Sequence, residues 1–270
     1  MDRIERQGLV AYRFSSLPTD RVDALVSTRI GGVSTAPQAG LNLGTRVHDE
    51  LADVVANRDA LFTAFGLPFE RSVWCEQVHL TDVTVIEAGD AGRGSLNDHD
   101  VVTATDAMVT DVVGIPLCVT LADCVPVVIY DPEHHALGLA HAGWGGTVRR
   151  LASHTLAVMG ERYGTRPADV LVGIGPSISP DDYEVGGDVI ALARENYGDD
   201  ADRILRPRPD DKALLDLWEA NAIDLERAGV PRASIEISGI STSTGLDEFY
   251  SHRFEGPTGR FAGVAMLRAA

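Results

Sequence analysis

The sequence predicts a mixed-sheet α+β fold, and three observations carry that prediction. Short apolar runs with the two-residue rhythm of strands are interspersed with longer segments whose apolar residues recur every three to four positions. Two of the runs, Val125–Tyr130 and Ala136–His141, flank the polar tetrapeptide Asp131-Pro132-Glu133-His134, a hairpin with proline in its turn. Strands and helices follow no regular βαβ period, which argues against a doubly wound parallel sheet. The chain has 270 residues, 44% of them hydrophobic, enough for a substantial core. No proline- or glycine-rich linker divides it, so residues 1–270 read as a single domain.

In chain order, Leu9–Phe14 and Asp23–Thr28 read as strands leading into the glycine turn Arg29-Ile30-Gly31-Gly32-Val33-Ser34. After the tight loop Leu41-Asn42-Leu43-Gly44, a helix is expected from about Asp49 to Phe65. Leu51, Val54, Val55, Leu61, Phe62 and Phe65 form its stripe, and Gly66 and Pro68 stop it. Ser72–His79 and Val83–Glu87 are strand-like. Gly89–Asp100 is a loop, rich in Gly, Asn and Asp. Thr105–Thr110 and Leu117–Leu121 are strands before the hairpin. A helix is expected over Gly146–Arg162, a strand over Val170–Ile174, and helices over Val185–Tyr197 and Lys212–Ala228. Asp199–Asp211 reads as a charged connector. Ser234–Ile237 and Phe261–Leu267 close the chain as strands.

The net charge of −17 disfavours a nucleic-acid partner, because such a surface repels a phosphate backbone. No apolar run reaches the roughly 18–20 residues of a membrane span, and the charged Met1–Gly8 segment has no secretory apolar stretch. Three cysteines, Cys75, Cys118 and Cys124, are an odd number in a long chain, as expected in a reducing cytoplasm.

The chemistry concentrates in Leu117–Thr147. A hairpin symmetric about Pro132 and Glu133 would set Tyr130 opposite His135 and Cys124 opposite His141, with Cβ atoms about 4.5–5.5 Å apart. A thiolate and an imidazole so placed serve as metal ligands, as a nucleophile and base, or as mere neighbours in a strand pair. If a metal binds, His79 is the natural third ligand. A Cys-His-His set leaves one tetrahedral position open, the arrangement of catalytic zinc, and suits copper as well. Asp123, beside Cys124, is placed to orient a ligand or move a proton. The helix beginning at Gly145–Thr147 offers N–H groups to an anion. Arg29, Asn42, Gly146 and Arg253 are the candidate substrate contacts, with Arg149, Arg150 and Arg260 as further cations.

Leu121-Ala122-Asp123-Cys124-Val125-Pro126-Val127, His141-Ala142-Gly143-Trp144 and Gln77-Val78-His79 resemble the YfiH/PgeF family, also called the multicopper polyphenol oxidoreductase (laccase) domain family. Arg29–Ser34, Asn42–Gly44, Ala104–Thr110, Gly173–Pro176, Tyr183–Gly186, Leu215–Trp218, Tyr250–Arg253 and Thr258–Arg260 stand where that family has similar words, in the same order. The resemblance implies a layered α/β/β/α sandwich with the site at one end of a sheet, and zinc held by His79, Cys124 and His141. It implies purine nucleoside phosphorylase activity on adenosine, inosine or methylthioadenosine, with adenosine deaminase activity in some members. Other activities attached to the family are copper-dependent polyphenol oxidation and, in the PgeF branch, an amidase acting on a wrongly built UDP-muramyl-serine precursor. A zinc-stabilised module without catalysis is the remaining alternative. Two departures stand out. The family usually has arginine where this chain has Gly145, and often has cysteines where this chain has Asp181-Asp182 and Ser241–Thr244.

Overall fold

Alternation along the strands sorts the side chains into three apolar layers, because successive residues of a strand point to opposite faces. The structure is a computed structural model and describes residues 1–269. One six-stranded sheet runs, edge to edge, through Asp2–Arg6, Leu9–Arg13, Val22–Ser27, Phe261–Leu267, Leu117–Leu121 and Val73–Trp74. A second runs through Ile235–Ile237, Leu171–Ile174, Val125–Asp131, Ala136–Ala142, Ala107–Thr110 and Val83–Val85. Val26, Val119, Leu121 and Phe261 of the first sheet meet Val128, Tyr130, Leu137 and Leu139 of the second. Their neighbours Leu25, Cys118 and Val264 pack with Leu61, Phe62 and Phe65 of the helix Leu51–Phe65. Val125, Val127 and Ile129 pack with Leu151, Leu156 and Met159 of the helix Leu151–Tyr163 and with the helix Leu217–Arg227. The result is the expected α/β/β/α sandwich, with sheets that are mostly antiparallel and parallel only toward their edges. Among the described residues, no helix is long and apolar enough to cross a membrane.

Several elements differ from the sequence reading. The hairpin pairs Val125 with Ala142, Pro126 with His141 and Tyr130 with Leu137, two residues away from the symmetric register. Only Pro132–His135 are left in the loop, because Asp131 caps it, accepting the N–H groups of Glu133 and His134 at 2.9 and 3.1 Å. A two-residue slip keeps every side chain on its expected face, whereas a one-residue slip would have turned them all over.

The helix expected over Gly146–Arg162 is two helices, Trp144–Val148 and Leu151–Tyr163, with Arg150 between them at φ +66°. Asp224 makes the break: its carboxylate accepts Arg150 Nε and the Ser153 N–H, both at 2.8 Å, and so starts a new helix. Lys212–Ala228 divides into a strand, Lys212–Leu215, and the helix Leu217–Arg227, whose N-cap Asp216 accepts the Glu219 N–H. The expected connector Asp199–Asp211 holds the strand Leu205–Arg208, which joins Lys212–Leu215 and Glu184–Val185 in a small third sheet. The expected helix over Val185–Tyr197 starts at Gly187. Of Ser72–His79, Val73–Trp74 alone is a strand, and the segment beyond it becomes the loop that carries His79.

Candidate metal centre and its cavity

The functional side chains gather where the strand Leu117–Leu121 ends and the central hairpin opens. Cys124 comes one residue before Val125 of the pair Val125–Ala142, and His141 one residue before Ala142 on the partner strand. They are therefore diagonal rather than direct neighbours, on the face between the sheets. His79 reaches them from its loop, its ring edge-on to that of His141 with centroids 4.9 Å apart. The donor atoms of His79, Cys124 and His141 all lie within 4.8 Å of one another. Gly143 keeps the space clear: a Cβ there would sit 3.0 Å from Cys124 Sγ and 3.2 Å from His79 Cδ2. Two imidazoles and a thiolate on converging elements fit a borderline-soft ion such as zinc or copper, with one position left for another ligand.

The charges around the cluster act on one another. Burial pushes the Cys124 thiol up, but the charge of His141 and hydrogen bonds from His141 and His79 bring it down to about 6. Burial pulls His141 down, and the Cys124 thiolate and the Asp106 carboxylate more than offset this and raise it. Asp106 is fully buried, yet its hydrogen bonds to His141 and to backbone N–H groups hold it below the usual carboxylate range. By contrast burial raises Cys75 and Cys118, and at Cys118 the charge of Arg58 offsets only part of this.

The cluster forms one wall of a cavity of about 320 Å³, lined also by Arg46, Arg58, Gln77, Thr120, His252 and Arg260. No Asp or Glu of the described residues lines it, in a chain with 40 of them. Arg58 is 2% exposed. Its Nε donates to the Leu43 carbonyl at 3.0 Å, and Nη1 donates to those of Gly94 and Ser95 at 2.7 and 3.0 Å. Its guanidinium lies 3.6 Å over the Trp74 ring. Among the described residues Nη2 has no protein partner. Burial brings the group down to about 10, so it stays charged at neutral pH. Arg260 Nη1 donates to the Thr258 and Gly259 carbonyls at 2.8 and 2.9 Å, again with no carboxylate partner. Arg46 is paired with Glu76 outside the cavity.

Five other residues named from sequence fall elsewhere. Arg29 is tied to Glu255 at 2.8 Å and lies over Tyr250. Arg253 lies over Tyr183, its Nη1 donating to the Glu184 carbonyl. Asn42 is buried and acts from behind, its Oδ1 accepting the backbone N–H groups of Arg260 and Gly44 at 2.8 and 3.1 Å. Asp123 has both oxygens occupied, one by Thr242 Oγ1 and one by the Arg253 N–H, each at 2.7 Å. Gly146 sits in a helix of five residues. The backbone of His79 and Leu80 covers its start: a Cβ on Gly145 would be 2.5 Å from the His79 carbonyl, and one on Gly146 3.2 Å from that of Leu80. The helix start is therefore not open to an anion, whereas Arg58 and Arg260 line the cavity. Where the resembled family often has cysteines, Asp182 accepts the Ser243 hydroxyl at 2.7 Å.

Sequence reasoning missed Asp106 and Arg58. Arg58 left a signal. It stands four residues after Val54 and four before Phe62, so a charge falls on the buried stripe of its helix. Asp106 lies within Ala104–Thr110, one of the segments that resemble the family, but nothing in the sequence singles it out there.

Comparisons with known proteins agree with this architecture. The family described as "Multi-copper polyphenol oxidoreductase laccase" matches residues 23–268. The purine nucleoside phosphorylase YlmD of Geobacillus stearothermophilus is 38% identical over 236 residues, 87% of this chain and 86% of that one. The solved structure of YlmD from that organism superposes with a TM-score of 0.94 at 35% identity, covering 98% of each chain. The Bacillus licheniformis hypothetical protein YfiH gives 0.90 at 33% identity, over 92% of this chain and 93% of that one. The sandwich, the His-Cys-His cluster at its sheet ends and these matches place the chain in the YfiH family of laccase-like multi-copper polyphenol oxidoreductase proteins.

Proposed function

We propose that this enzyme is a purine nucleoside phosphorylase whose metal ion, zinc, is held by His79, Cys124 and His141. One observation carries the reading: a three-ligand cluster opens onto a cavity lined by two arginines that lack carboxylate partners and by no carboxylate. Such a cavity selects an anion from solution despite the net charge of the chain. The names of the relatives supply the nucleoside half of the pair.

In this reading Arg58 Nη2 and the Arg260 guanidinium hold phosphate, and the Trp74 ring keeps Arg58 flat against the cavity wall. A phosphate oxygen forms the new bond to C1′ of the sugar as the C1′–N bond to the purine breaks. The base leaves with the electron pair and takes up a proton. Zinc, when bound, supplies Lewis-acid polarisation at its open position. Asn42 positions Arg260, and Asp123 ties the Thr242 and Arg253 segments to the Cys124 turn, a supporting role in place of the proton transfer expected from sequence. We also assign the chain to one domain over residues 1–270, to small-molecule substrates and to the cytoplasm, in keeping with its three free cysteines.

The test is incubation of zinc-loaded protein with adenosine or inosine plus phosphate, reading adenine, hypoxanthine and inosine. Base release that needs phosphate and disappears in Cys124→Ala supports phosphorolysis. Conversion of adenosine to inosine would add a deaminase activity, and no turnover above the variant would end the nucleoside reading. The lowered Cys124 thiol beside His141 favours a second reading, a metal-independent amidase with Cys124 as nucleophile. Retention of amide-cleaving activity after complete metal removal would select it. Polyphenol oxidation by several coppers finds less support, because the described residues form one ion-holding group.

A further inference from the structure

We infer that Asp106 is the positioning residue of the metal centre: its single carboxylate chooses which ring nitrogen His141 presents and holds the loop that presents His79. The inference rests on the metal-binding reading of the cluster and is independent of the nucleoside. The Asp106 side chain is fully buried and receives four donors. Oδ2 accepts the N–H groups of Val78 at 3.1 Å and Leu80 at 2.9 Å. Oδ1 accepts the His79 N–H at 3.0 Å and His141 Nδ1 at 2.9 Å. The backbone closes the clamp, because the His141 N–H donates to the Asp106 carbonyl at 2.7 Å.

Two consequences follow from counting donors and acceptors. An ionised carboxylate only accepts, so the hydrogen in the contact with His141 belongs to the ring, on Nδ1. Nε2 is then the nitrogen that gives up its proton and offers its lone pair when an ion binds, because the partner of one nitrogen sets the role of the other. His79 meanwhile sits at φ +62°, a left-handed conformation that a non-glycine residue adopts at a cost. The segment around it belongs to no strand or helix, and three consecutive N–H groups bound to one carboxylate hold it there. Two of the three ligands are thus set by a residue that touches no ion.

An amide cannot replace this carboxylate. With its NH₂ at the Oδ2 position, asparagine would face the N–H groups of Val78 and Leu80. With its NH₂ at the Oδ1 position it would face the His79 N–H and donate to His141 Nδ1, driving the ring proton to Nε2.

The experiment compares the full-length protein with Asp106→Asn. Zinc affinity is measured by competition with a chelating dye, the absorption spectrum is recorded with cobalt(II), and melting of the metal-free forms is followed. The expected result is a zinc affinity lower by about 10–100-fold and a changed cobalt spectrum. A second measurement needs no variant: in zinc-loaded wild-type protein, ¹⁵N correlation spectra of the histidine rings should show His141 protonated at Nδ1 and metal-bound at Nε2. Wild-type affinity and spectrum in Asp106→Asn would overturn the inference, as would a metal-bound Nδ1 on His141. Failure of the wild-type protein to take up zinc or cobalt would remove the metal reading itself, and this role with it.

Discussion

Replacing Arg58 with methionine separates anion binding from folding. In the folded protein Arg58 makes three hydrogen bonds to backbone carbonyls and covers Trp74. Their loss costs about 1–2 kcal/mol each, and the lost contact between guanidinium and ring roughly another 1 kcal/mol. Against this stands the burial of the charge. Its pKa falls from 12.5 to about 10, which at about 1.4 kcal/mol per unit is a cost near 3 kcal/mol. Neutral pH lies below both values, so the full cost is present there and the substitution removes it. The burial cost offsets much of the loss, and methionine fills a similar volume, so stability should fall by about 1–4 kcal/mol. Phosphate binding has no such compensation. Losing a desolvated charge-assisted contact costs about 2–4 kcal/mol, roughly 30- to 1,000-fold. The assay is inosine cleavage at varied phosphate, with a thermal melt as control. Phosphate KM should rise, or kcat/KM fall, by that factor while zinc content is unchanged. An unchanged phosphate KM in a folded Arg58→Met protein would refute the placing of the anion.

Further outcomes follow from the same contacts. In metal-free protein, iodoacetamide should label Cys124 with a rate that rises through about pH 6 and levels off above pH 7, since deprotonation is what activates the thiol. Zinc should block the reaction, and a rate still climbing at pH 8.5 would contradict the lowered thiol. Asp123→Asn should lower stability by about 1–3 kcal/mol through the Thr242 and Arg253 contacts. It should leave the pH–rate profile in place, and loss of a titrating limb would show Asp123 moving a proton after all. Gly173→Ala would place a Cβ 2.5–2.7 Å from the Phe14 ring, so thermal unfolding should show at least about 1–3 kcal/mol of destabilisation. A neutral result would mean that the two sheets pack less tightly there.

Elements that bury an apolar face were legible in the sequence, and those built on other terms were not. Leu117–Leu121 and Phe261–Leu267 were read with their observed bounds, because their apolar runs have few alternative registers. The edge strand Asp2–Arg6 has four of its five residues exposed and so carries no apolar rhythm. Its signal was the Gln7-Gly8 turn, where both residues have positive φ. The break at Arg150 depends on Asp224, 74 residues away, which no local pattern reports. The same division holds at the site. Cys124, His141 and His79 stood out by residue type, spacing and family likeness, and the slipped hairpin still placed the first two on one face. Asp106 and Arg58 are defined by what surrounds them, a ring of donors in one case and carbonyls and an indole in the other. Those surroundings exist only after segments distant in the chain have packed together.

The most direct test of the central claim is the fate of the sugar when zinc-loaded protein cleaves inosine in phosphate buffer, followed by ³¹P NMR. One ribose 1-phosphate should form for each hypoxanthine released, abolished by chelation and restored by zinc. Free ribose as the sugar product, or turnover indifferent to chelation, would contradict it.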